Sequence, residues 1–111
     1  MLGYKLKITL GDEEKVFGPG VASLMEKVEE CGSLASACRE MHMAYSKGWR
    51  IIRRAENGVG FPLMQGVKGG KQGGSTVLTQ EGKELLLKFR QLEERMNEQL
   101  DLISLEIFGQ Q

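Results

Sequence analysis

The stretch "YSKGWRIIRRAEN" (residues 45–57) decides how the chain is to be read. Projected on a helical wheel at about 100° per residue, Gly48, Trp49, Ile51, Ile52 and Ala55 fall on one half. Ser46, Lys47, Arg50, Arg53 and Arg54 fall on the other, with Arg50 near its centre. Such a helix has an apolar back for a core and a front of four cations with no acid. Most basic helix faces are simply solvated, so the flanking segments must decide what this one serves.

Working outward toward the N-terminus, "HMA" (residues 42–44) breaks the helical pattern. Before it, Leu34, Ala37, Cys38 and Met41 make the apolar stripe of a short helix, for which Ser33 is a suitable N-cap. A first helix precedes that one: Val21, Leu24, Met25 and Val28 recur at helical spacing, Glu26, Lys27, Glu29 and Glu30 fill the wet face, and Gly32 ends it. Upstream, "YKLKITL" (residues 4–10) alternates apolar and polar residues as a strand does, Gly11 and Asp12 mark a turn, and "EKVF" (residues 14–17) returns. These predict a small N-terminal β-hairpin, set off by "GPG" (residues 18–20) from a helix beginning at Val21.

Toward the C-terminus, Asn57-Gly58 supplies a stop for the basic helix. "FPLM" (residues 61–64) and "STVL" (residues 75–78) are strand candidates on either side of "GVKGGKQGGST" (residues 66–76), so residues 61–79 read as a hairpin with a long tip. That tip holds five glycines, two lysines and no acid. Ordering so many glycines costs backbone entropy, and the cost makes sense where bare backbone N–H groups must approach an anion. A Walker-type phosphate loop is a poor fit, because the spacing is wrong and the run opens onto a strand instead of a helix. A loose surface loop is the stronger competing reading. Thr79 then caps a helix over about residues 80–108, in which Leu85, Phe89, Leu92, Met96, Leu100, Ile103 and Ile107 recur at three- and four-residue steps.

Two short helices joined by a few residues and followed by a β-hairpin is the order of a winged helix-turn-helix, whose second helix enters the major groove of DNA. The basic front of residues 45–57 suits that place: arginine forks onto guanine, and lysine or serine reaches phosphates and base edges. Lys68 and Lys71 add charge to the wing for phosphate neutralisation.

Bulk properties agree with a small DNA-binding unit. At 111 residues the chain is long enough for one modest core, and residues 1–111 are read as a single domain. The formal net charge is zero. However, Arg39, Lys47, Arg50, Arg53, Arg54, Lys68 and Lys71 face only Glu40 and Glu56 across the middle of the chain. No stretch has the length of a signal peptide's apolar core or of a membrane span, and Cys31 and Cys38 form no CxxC pair, so reduced thiols and a cytoplasmic location are expected. Cys38 and His42 lie one helical turn apart, but no second close pair completes a metal site. His42 is the only histidine and has no nucleophile beside it, so neither metal, cofactor nor enzymatic activity is expected. Trp49 and the methionines Met25, Met41 and Met43 read as core.

The segment "ECGSLASACREMHMAYSKGWRIIRRAENGVGFPLMQGVKGGKQGGSTVLTQEGKELL" resembles the N-terminal DNA-binding domain of the molybdate-responsive transcriptional regulators, the ModE family, relatives of the LysR-type winged helix-turn-helix. The likeness lies in "GSLASACREM", the Tyr45–Trp49 spacing in "MAYSKGW", and "GGKQGGS" followed by "VLT" and "EGKELL". It implies a homodimer held by the first and last helices. It also implies a recognition helix presenting Tyr45, Ser46, Lys47 and Arg50, and a wing around Gly69, Gly70, Lys71, Gly73 and Gly74. Ser33, Arg53, Arg54 and Lys68 complete the expected DNA-facing set. Two departures stand out. Ser46 occupies a place where the family often carries a basic residue, and the chain ends at Gln111, ahead of the family's molybdate-binding domain, so molybdate binding is not expected.

The expectation is therefore an α+β, mainly α, winged helix-turn-helix with an N-terminal hairpin and a long C-terminal dimerisation helix. It would bind double-stranded DNA as a homodimer and regulate transcription, with no membrane partner. A winged-helix protein–protein adaptor, or a regulator with an effector at its dimer interface, are the rival readings.

Overall fold

A computed structural model describes residues 3–67 and 75–109. Four helices and one two-stranded ribbon follow in the order α1 (Pro19–Cys31), α2 (Leu34–Glu40), α3 (Tyr45–Val59), β1 (Met64–Val67), β2 (Ser75–Leu78) and α4 (Gln80–Phe108). The strands pair antiparallel, with Met64 opposite Leu78 and Val67 opposite Ser75.

Local chemistry sets the helix ends. Gly32 takes a left-handed φ of 82° after α1, and its N–H donates to the Val28 carbonyl. The Ser33 hydroxyl then accepts from the Ser36 N–H at 3.1 Å, capping α2 as expected. Thr79 caps α4 in the same way, accepting from Gly82 N–H at 2.9 Å while its own hydroxyl donates to the Pro62 carbonyl at 2.7 Å.

Three boundaries differ from expectation. Helix α1 begins at Pro19 rather than Val21, because proline at the first helical position has the right φ and no N–H to leave unpaired. The expected N-terminal hairpin reduces to one bridge, Leu10 with Phe17. Helix α3 runs through Asn57-Gly58 to Val59 and stops at Gly60, whose φ of 86° permits the left-handed cap. The first wing strand starts at Met64, later than "FPLM" implied, since Leu63 N–H and Met64 N–H both turn toward the Glu56 carboxylate.

The core gathers the inner faces of all these elements. Ala22, Leu24, Met25 and Val28 of α1 meet Leu34, Ala37 and Cys38 of α2, Ile52 and Ala55 of α3, Leu63, Met64 and Leu78 of the ribbon, and Leu86 and Phe89 of α4. Phe17, just ahead of α1, stands edge-on to Phe89 with ring centroids 5.1 Å apart. At the periphery Arg90 clamps α4 to α1: its guanidinium donates to both Glu26 oxygens (3.1 and 2.7 Å), to Ser23 Oγ (3.2 Å) and to Glu93 (2.7 Å). Hydrogen bonding from Arg90 holds the Glu26 carboxyl below its ordinary pKa.

Helices α2 and α3 pack closely at Gly48, where a Cβ would overlap the sulfur of buried Cys38. Gly48→Ala is expected to destabilise the fold by about 1–3 kcal/mol despite alanine's better helix propensity. In a Cys38→Ala background most of that cost should vanish, and a denaturation double-mutant cycle would read the coupling. An equal cost in both backgrounds would contradict the close-approach explanation.

Candidate nucleic-acid interface

The side chains on the front of α3 owe their position to ties that fix the helix between its neighbours. The turn before it is built by His42, which takes a positive φ of 56°, and by Met43 N–H donating to the Cys38 carbonyl at 2.9 Å. With Gly48, Ile52 and Ala55 turned inward, Ser46, Lys47, Arg50, Arg53 and Arg54 are all exposed. Among the described residues none of the four cations forms an ion pair; the salt bridges involve Lys27 and Arg90 instead. The first turn of α3 carries no acid and its N-cap, Ala44, offers no side-chain acceptor, so the positive end of the helix dipole is also uncompensated by side chains.

Tyr45 and Trp49 form an edge-to-face pair with centroids 6.2 Å apart, and the Arg53 guanidinium lies 5.3 Å from the Trp49 centroid. Trp49 is therefore half-buried and only partly a core residue: one side packs on the core while its ring orients Tyr45 and Arg53. Ser33 lies at the α2 N-terminus with its oxygen engaged in the cap.

The ribbon is locked to the helix pair by side chains that sequence reasoning did not single out. Thr76 N–H donates to the Gly32 carbonyl at 3.0 Å, and Thr76 Oγ1 accepts from Leu34 N–H at 3.1 Å. Glu56 binds the start of the ribbon from the back of α3. The spacing of Glu56 from the basic front gave no hint of this; its lone acidic character within a basic helix was the available signal. The expected wing residues Lys68, Gly69, Gly70, Lys71, Gly73 and Gly74 lie outside the described residues.

Two helices at a tight turn, the second with a cationic front unpaired among the described residues, and a ribbon tied against them form a helix-turn-helix with an adjoining wing. The description "bacterial regulatory helix-turn-helix protein, lysR family" matches residues 22–83, more than half of the chain. The chain belongs to that family. Among its curated relatives, the molybdenum transport protein ModE of Azotobacter vinelandii is 35% identical over 81 residues, covering 73% of this chain and 30% of the relative. The ModE of Herbaspirillum seropedicae, also called a molybdenum transport protein, is 31% identical over 86% of this chain and 34% of its own length. The DNA-binding transcriptional dual regulator ModE of Escherichia coli K12 is 26% identical over 90% of this chain and 38% of its own length. The chain thus spans about a third of the length of these relatives. The lysR-family match and these likenesses bear out the resemblance to a ModE-type DNA-binding domain. Among the described residues no helix is long and apolar enough to cross a membrane.

Proposed function

We propose that this member of the lysR helix-turn-helix family is a cytoplasmic homodimer that binds double-stranded DNA sequence-specifically and regulates transcription. The observation that carries the reading is the front of α3: four exposed cations, unpaired among the described residues, held on a helix whose back is locked in the core. The reading takes DNA binding from the regulators it resembles and leaves molybdenum with them. Arg50, at the centre of the exposed face, reads base edges; Tyr45, Ser46 and Lys47 in the first turn share the groove; Arg53, Arg54, Ser33 and the wing residues position the backbone.

Two such units related by a two-fold axis would place their α3 helices in successive major grooves of a pseudo-palindrome. Selection from a randomised duplex pool, read by fluorescence anisotropy at two salt concentrations, tests this directly. Enrichment of a symmetric site with affinity falling steeply in salt is expected. Failure to bind any duplex at low salt would overturn the reading and favour a protein–protein adaptor.

On the selected site Arg50→Ala is expected to cost about 1–3 kcal/mol and to relax sequence preference. Lys71→Ala, in the segment that the sequence assigns to the wing, should weaken all duplexes alike and lower the salt slope by about one. Equal effects of both changes on specific and random duplex would sink this division of roles.

A further inference from the structure

The loop ahead of α1 rests against the exposed flank of α3 at a residue without a side chain. A Cβ on Gly58 would collide with Val16, so the bare helix backbone there lets the loop dock. Leu10 and Phe17 close the base of that loop through paired backbone hydrogen bonds, with Leu10 N–H donating to Phe17 O and Phe17 N–H donating to Leu10 O at 3.1 Å. The docked loop and α3 enclose an open groove of about 560 Å³, lined by Lys7, Lys15, Lys47, Arg50 and Arg54 over an apolar floor that includes Ile51. Among the described residues no acidic side chain lines it and none of these five cations has an ion-pair partner; Glu14 of the same loop lines the neighbouring cleft with Arg50, Arg53 and Arg54.

Five unpaired cations around one groove repel one another, and a partner carrying several negative charges in a row relieves that repulsion better than a compact anion meeting one or two of them. Three of the five already belong to the proposed DNA-facing side of α3. A strand of duplex backbone lying along that helix would carry its phosphates past the loop. We propose that the segment ahead of α1, this loop together with the residues leading into it, is a further DNA-contacting element, with Lys7 and Lys15 gripping phosphates that flank the base pairs read by α3. The inference rests on the DNA-binding reading and extends its footprint to a part of the chain ahead of the lysR-family match, which begins at residue 22.

The test is Lys7→Ala/Lys15→Ala, together with the charge reversal Lys7→Glu/Lys15→Glu. Both sites are exposed, so native circular dichroism is expected in each variant. Binding to a mixed-sequence duplex of about 30 base pairs is measured across a salt series; each lost phosphate contact lowers the log–log salt slope by about 0.9. The alanine pair should flatten the slope by about two per protomer, with a deeper loss of affinity for the reversal, and sequence preference in a randomised pool should stay as it was. Ethylation interference should show flanking phosphates that matter for the unaltered chain and not for the variant. An unchanged slope and interference pattern, on a duplex that the unaltered chain binds, would overturn the inference and leave the DNA-binding reading standing. Weakened binding at unchanged slope would overturn it too, since the lysines would then act through the fold. If the unaltered chain bound no duplex at all, the underlying reading would fall first.

Discussion

Phe89→Ala is expected to destabilise the protein by about 3–5 kcal/mol, the usual cost of truncating a fully buried phenylalanine. Phe89 is 1% exposed and stands against Phe17, at the end of the loop ahead of α1, in a core that also holds Met25 and Val28 of α1. Its ring stands at 70° to that of Phe17, an edge-to-face pair worth about 0.5–1.5 kcal/mol beyond its buried area. Truncation would leave a cavity and also free the base of the loop that borders α3. Urea denaturation reads the loss as a lowered midpoint at unchanged m value. Leu87→Ala, two residues earlier on α4 at a position 68% exposed and off the apolar stripe that carries Phe89, is the control and should stay within about 0.5 kcal/mol. Similar midpoints for both variants would contradict the placing of Phe89 in the core.

The helix that carries both positions shows what the sequence could and could not reveal. Apolar periodicity identified every helix, and the caps at Ser33 and Thr79 fixed two starts correctly, because hydroxyl acceptors and orphan N–H groups are local chemistry. The front of α3 was legible for the same reason: a helix that must bury Gly48, Ile52 and Ala55 has no choice but to expose Arg50, Arg53 and Arg54. Periodicity could not say where along α4 the core ends. Leu85, Phe89, Leu92 and Met96 look alike in sequence, yet Leu86 and Phe89 are buried, Leu85 is half-buried, and Leu92 and Met96 face solvent, since the domain is too small to cover a helix of 29 residues.

Tertiary ties were illegible for a different reason. Thr76 bonding to the α1–α2 turn and Glu56 to the start of the ribbon join residues far apart or on unexpected faces. The N-terminal hairpin shrank to the Leu10–Phe17 bridge because strand alternation in residues 4–10 says nothing about how far a returning segment pairs with it. Met41 and Met43, read as core, are half-buried and border the groove beside α3.

The exposed part of α4 leads to the second large effect. Met96→Glu/Ile103→Glu is expected to turn a dimer into a monomer and to weaken binding to a palindromic site by about 10²-fold or more, because the second half-site contact is no longer intramolecular. The helix is about 43 Å long at about 1.5 Å per residue, and beyond Phe89 its inward stripe continues as Leu92, Met96, Ile103 and Ile107, which are 39–69% exposed. A stripe of that kind, continuous with the core-facing side of the same helix, is costly to leave in water, and a second copy of α4 matches it by symmetry. Both substituted residues face solvent within one chain, so the monomer's circular dichroism and urea midpoint should hold while sedimentation equilibrium halves the mass. Binding to an isolated half-site should survive, which separates lost dimerisation from a damaged DNA-facing surface. A monomeric unaltered chain at micromolar concentration, or a variant that remains dimeric, would show that α4 serves some other partner.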